Sequence, residues 1–104
     1  MKRLTISKNH RFLVWEDGEP FFWLGDTIWE LFHRATIEEA EHYLETRGRQ
    51  GFNIVQTVVL AEFEGLTVPN AYGERPLIDN DPLKPNEAYF QYMDKVIELA
   101  GVKG

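Results

Sequence analysis

The sequence predicts an α/β fold in which a short β hairpin precedes a strand–helix–strand–helix run. Two apolar segments, Phe21-Phe22-Trp23-Leu24 and Ile54-Val55-Gln56-Thr57-Val58-Val59-Leu60, have the length and the aromatic or β-branched content of strands. Each precedes a stretch whose apolar residues recur at helical spacing. Thr36 and Asn86 supply helix start signals.

The hairpin comes first, as a unit over residues 1–20. Leu4-Thr5-Ile6 leads into the turn-forming Ser7-Lys8-Asn9-His10, and Arg11 to Trp15 is β-prone. Asp17-Gly18 is a two-residue turn signal. The first core strand is then expected at 21–24, ending near Gly25-Asp26, in a second unit over 21–104. Thr36 with Glu39 fits a capping box, in which hydroxyl and carboxylate satisfy two free backbone donors. Ile37, Ala40, Tyr43 and Leu44 mark the buried side of the helix predicted over 36–50, and Gly51 fits the left-handed position after it. The second core strand is expected over 54–60. The connection between two such parallel strands is expected to be right-handed.

Residues 61–85 carry Pro69, Pro76, Pro82 and Pro85 with Gly65 and Gly73 and show no clear period. A loop of that length is uncommon unless it is functional or disordered. Asn86 then caps a second helix, with Glu87 favoured at its positive end and Phe90, Met93, Ile97 and Ala100 as its apolar stripe. A strand–helix–strand–helix run needs a parallel sheet covered on both faces, which two strands cannot supply. The pattern therefore predicts further strands beyond Gly104.

Composition bounds the function. The chain has 104 residues, 43% of them hydrophobic and 13% aromatic, enough for one small packed domain and too rich for disorder. A net charge of −6 without a basic patch argues against a nucleic-acid partner. The absence of cysteine removes disulfides and thiolate metal sites and leaves the redox compartment open. Met1-Lys2-Arg3 is basic, but no apolar stretch follows as in a secretory signal, and no apolar run approaches the ~20 residues of a membrane span. A cytoplasmic location is the default expectation.

Several residues invite a chemical reading. Asp26 and Trp29 follow the first core strand. Asp26 could accept sugar hydroxyls and Trp29 could offer a ring face to the C–H side of a sugar, or they could be a turn cap and a core aromatic. Gln56 stands inside an apolar strand, where its amide must be satisfied by a neighbouring strand or by a ligand. Glu62 and Glu64 follow the second strand, but residues two apart on an extended segment do not form a facing pair of carboxylates. His10, His33 and His42 lack metal-ligand spacing; His33 draws more attention because it follows the Asp26 segment. No metal or cofactor is expected.

The motifs carry a resemblance. Pro20-Phe21-Phe22-Trp23-Leu24-Gly25-Asp26-Thr27, Trp29-Glu30-Leu31-Phe32-His33-Arg34, Gly51-Phe52-Asn53-Ile54-Val55-Gln56, Asn70-Ala71-Tyr72-Gly73 and Pro85-Asn86-Glu87-Ala88-Tyr89-Phe90 with Asp94 occur in order along the chain. This series resembles the apiosidase-like glycoside hydrolases, a bacterial family built on a domain formerly of unknown function. The resemblance implies the N-terminal portion of a (β/α)8 TIM barrel, incomplete here. It implies a carbohydrate substrate in pectic plant cell-wall polysaccharide, hydrolysed with retention through two carboxylates. The acid/base and nucleophile are expected on later strands, beyond residue 104. Asp26, Trp29, Gln56, Glu62, Asn70 and Tyr72 match motif positions expected at the barrel mouth, as substrate contacts. A non-catalytic carbohydrate-binding module and a self-assembling βα module are the alternatives. Taken alone, the chain is expected to be inactive, poorly stable as a monomer and prone to associate through exposed strand edges.

Overall fold

The structure, a computed structural model, describes residues 2–104. Met1, which opens the unit expected over 1–20, lies outside the described residues. Strand β1 (Leu4–Ile6) pairs antiparallel with β2 (Leu13–Trp15), in the register Leu4 to Trp15 and Ile6 to Leu13. Ser7 organises the turn between them. Its buried hydroxyl accepts from the Arg11 and Phe12 amides, both at 3.2 Å, so the second strand starts at Leu13 rather than at Arg11. Asp17-Gly18 turns the chain again. Gly18 takes a φ of 90°, its N–H donates to the Trp15 carbonyl at 2.8 Å, and Pro20 comes back beside Val14.

The first core strand lies later than expected. Strand β3 is Gly25–Thr27, and Phe21–Leu24 is not part of a ladder. Phe22 and Trp23 are 78% and 59% exposed, so the apolar run is not a strand buried on both faces. The side chain of Asn53 meets the backbone there. Its Nδ2 donates to the Phe22 carbonyl at 2.7 Å, and its Oδ1 accepts from the Leu24 amide at 3.0 Å. Strand β4 (Ile54–Gln56) pairs parallel with β3, setting Gly25 beside Ile54 and Thr27 beside Gln56. The parallel pairing matches the expectation. The length does not: β4 stops at Gln56, and Val59 and Leu60 are exposed beyond it.

Between the strands lie α1 (Leu31–Arg34) and α2 (Ile37–Arg49). The short α1 has no sequence signature of its own; Glu30 before it reaches Arg34 Nε at 2.8 Å. The capping box of α2 is formed, with Glu39 N–H on Thr36 Oγ1 at 3.2 Å and Thr36 N–H on Glu39 Oε2 at 3.0 Å. Its end is a Schellman motif: Gly51, at φ 90°, donates to Gly48 O and Phe52 donates to Arg47 O. Helix α3 (Glu87–Lys103) starts at Asn86, whose Oδ1 accepts from the Ala88 amide. The buried side of α3 is Tyr89, Tyr92, Met93 and Val96, one position round from the expected stripe, and Ile97 is 56% exposed. The tyrosines can turn inward because each hydroxyl finds a carbonyl: Tyr89 on Val59 at 2.7 Å and Tyr92 on Ala35 at 2.6 Å.

Leu31, Phe32, Ala40, Leu44, Tyr89, Tyr92, Met93 and Val96 form the core, with Val55 of β4 packed against it. Helices α1, α2 and α3 therefore cover one face of the strand pair. Residues 61–85 are ordered by local turns. Gly65 N–H donates to Ala61 O at 3.2 Å, in a fold so tight that a Cβ at Gly65 would stand 2.4 Å from that oxygen.

Candidate functional site

The segments leaving β3 and β4 converge. Val58 N–H donates to the Trp29 carbonyl at 3.3 Å, and Ile28 N–H donates to Gln56 O at 3.0 Å. Beyond this contact Trp29, Glu30, Val58, Glu62 and Phe63 line a recess of about 220 Å³. Trp29 is 58% exposed, leaving ring surface free for a flat apolar partner. Glu30 is engaged by Arg34, and its Oε1 lies 3.5 Å from His33 Nδ1. Glu62 is exposed and, among the described residues, forms no ion pair, so its oxygens are available as acceptors.

The structure sorts the six expected contacts into four places. Trp29 and Glu62 meet in the recess. Gln56 lies on the strand face opposite Val55, the residue that packs on the helices, and is exposed there. Asp26 is within β3, not after it, and its side chain is turned to the helix layer. Asp26 Oδ2 accepts from Tyr43 Oη at 2.7 Å and from Arg47 Nε at 2.5 Å. These bonds, Tyr43 first and Arg47 second, hold the Asp26 carboxyl below the usual carboxylate range. Burial and then the hydrogen bond to Asp26 push the Tyr43 hydroxyl up to about 12. Arg47 also lies over the rings of Tyr43 and Phe52, at 5.4 and 5.5 Å.

Asn70 and Tyr72 belong to the framework of the loop. Buried Asn70 accepts on Oδ1 from the Tyr72 and Glu74 amides, both at 3.0 Å, while its Nδ2 has no partner among the described residues. Tyr72 Oη accepts from the Ile37 amide at 2.8 Å, at the start of α2, and its ring lies 4.9 Å from that of Tyr92. Neither residue lines the recess. Glu64 is exposed, with a left-handed φ of 61°, and also stays outside it. Sequence reading did not single out Glu30, Val58 or Phe63. Phe63 carried a usable signal, an aromatic between two carboxylates just past a strand.

Among the described residues no group of three or more His, Cys, Asp or Glu side chains could hold a metal ion, and no helix is long and apolar enough to cross a membrane.

Two solved structures are similar to this chain. One is a glycoside hydrolase family 5 protein from Bacteroides vulgatus ATCC 8482, 33% identical, with a TM-score of 0.81 over 98% of this chain and 23% of that one. The other is a glycoside hydrolase, 36% identical, with a TM-score of 0.81 and the same coverage. The chain thus spans 23% of the length of these structures, and its mixed α/β fold is a portion of a glycoside hydrolase barrel, with no closed barrel among the described residues. Comparison with curated proteins returns no match. The family model described as "Apiosidase-like, catalytic domain" matches residues 7–104, and the chain belongs to that family.

Proposed function

We propose that these residues supply the first two βα units, over 21–104 and preceded by the hairpin at 1–20, of a (β/α)8 hydrolase. Its substrate is the side chains of pectic plant cell-wall polysaccharide, hydrolysed with retention. The recess carries this reading: it joins an exposed Trp29 ring to a Glu62 carboxylate, without an ion-pair partner among the described residues, where both parallel strands end. Barrel enzymes bind substrate at that end. In this reading Trp29 stacks on the C–H face of a sugar, Glu62 accepts a hydroxyl, and Gln56 reaches the substrate from the open strand face. Asp26, Asn70 and Tyr72 hold the framework. The acid/base and nucleophile, about 5 Å apart for retention, come from strands outside these residues.

The test is release of reducing sugar from pectic polysaccharide by the complete hydrolase and by residues 1–104 alone. The complete enzyme should turn over and the 104-residue chain should not. Trp29→Ala and Glu62→Gln should each raise KM in the complete enzyme; unchanged kinetics in both would remove the recess from the site. A second reading, a self-assembling βα module, is favoured by the exposed Phe22, Trp23, Val59, Leu60 and Phe63. A 104-residue chain that stays monomeric at high concentration, by sedimentation, ends that reading.

A further inference from the structure

The structure assigns His33, which lies outside the recess, as the positioning residue that fixes the spacing of its two walls. This assignment rests on reading the recess as a carbohydrate site. One wall, Trp29 and Glu30, stands on the segment after β3. The other, Glu62 and Phe63, stands on the turn after β4. His33 is on α1, 4% exposed, and its Nε2 lies 2.9 Å from the Val68 carbonyl oxygen. A carbonyl only accepts, so Nε2 carries the proton and donates. Val68 is itself part of the second wall's support. Its N–H donates to Glu64 O at 2.8 Å, and Glu64 belongs to the preceding turn, closed by Gly65 N–H on Ala61 O at 3.2 Å, that bears Glu62 and Phe63. The other imidazole nitrogen, Nδ1, faces Glu30 Oε1 at 3.5 Å, and Glu30 lines the recess. The Nε2 bond thus ties α1, which directly follows the first wall, to the base of the second, across 35 positions of sequence.

Two buried tyrosines of α3 work in a related manner. Tyr89 holds Val59, just past β4, and Tyr92 holds Ala35, at the exit of α1. Each secures one segment to the helix layer, whereas His33 ties the two segments to each other. The Val68 carbonyl would lose its donor if His33 became apolar, and the Glu62 turn would be free to shift against Trp29. Binding and catalysis are sensitive to such shifts, since a misplacement of about 1 Å can cost on the order of a hundredfold.

The test compares His33→Leu, which removes the donor, with His33→Gln, whose amide can restore it. In the complete hydrolase, His33→Leu should raise KM roughly tenfold or more and change kcat by less than about threefold, while His33→Gln should return KM to within about threefold of wild type. Wild-type KM in His33→Leu, or equal losses in both variants, overturns the assignment. If the wild-type hydrolase turns over no carbohydrate, the functional reading fails and the bridge is decided on the 104-residue chain by limited proteolysis of residues 61–85. Faster cutting in His33→Leu but not in His33→Gln supports the bridge, and equal rates in all three chains refute it.

Discussion

One face of the β3–β4 pair is covered by α1, α2 and α3, where Leu31, Ala40, Leu44, Tyr89 and Val96 are at most 5% exposed. The other face carries Gly25, Thr27, Ile54 and Gln56, and the large side chains Phe22 and Trp23 lie exposed just before β3. Both regions carry large apolar side chains, yet only one is packed. Apolar composition marks a surface to be covered; whether it is covered depends on partners elsewhere in the molecule. Two strands alone make a marginal sheet, so what holds this pair together is the helix layer.

That contrast can be broken by experiment. The largest effect should come from Leu44→Ala, which leaves a cavity beneath α2 and should cost about 2–5 kcal/mol. Phe22→Ala, on the exposed side, should change stability by less than ~0.5 kcal/mol. Denaturant midpoints of the two variants that fall together would mean that the open face is packed in solution. Next is the face of α3: Val96→Ala should cost about 1–2 kcal/mol and Ile97→Ala close to nothing. The reverse order, by thermal unfolding, would rotate the helix back to the stripe read from the sequence. Smaller again is Tyr89→Phe. It keeps the ring but strips the Val59 carbonyl of its donor, for a loss of about 1 kcal/mol.

The smallest effect belongs to the partly exposed Asp26, and its signature is pH. The Asp26 carboxyl is lowered in the folded chain, chiefly by Tyr43 and then by Arg47, so its contribution is present above the ordinary carboxylate value of 3.8. That contribution is lost as pH falls through the lowered folded value. Asp26→Asn should therefore lower Tm at neutral pH, with the gap to wild type closing below the ordinary carboxylate range. A gap that stays constant down to acid pH would mean that charge has no part in joining β3 to α2.

Local chemistry was the legible part of this fold. Thr36 and Glu39, Gly51, Asn86 and Asp17-Gly18 act within a few residues of themselves, and their caps and turns stand where the sequence puts them. The position of β3 was not legible. The ladder runs through Gly25-Asp26-Thr27, the first two of low strand preference, because Ile54–Gln56 lies beside them. The face of α3 was misread because Tyr89 and Tyr92 look amphipathic until carbonyls 30 and 57 positions away accept their hydroxyls. Trp29 and Glu62 meet in the recess, each lying after a strand as the sequence suggests. Asp26 lies within the ladder rather than after it because β3 starts at Gly25 and not at Phe21. His33 stands out in the sequence only by following the Asp26 segment; its partner was not legible, being the backbone carbonyl of Val68 in a loop without periodicity.

Asn53 has a consequence for assembly. Its primary amide imitates a peptide unit, giving a proton to Phe22 and taking one from Leu24. The side chain thereby acts as an extra rung that recognises one alignment of the two segments. In a closed barrel the stagger between neighbouring strands sums to a fixed shear. A slip of one residue in an early pair would therefore be inherited by every strand added later, and would turn Gln56 toward the helices and Val55 away from them. In such a barrel a single amide beside the strands would serve as an alignment mark for the whole ring.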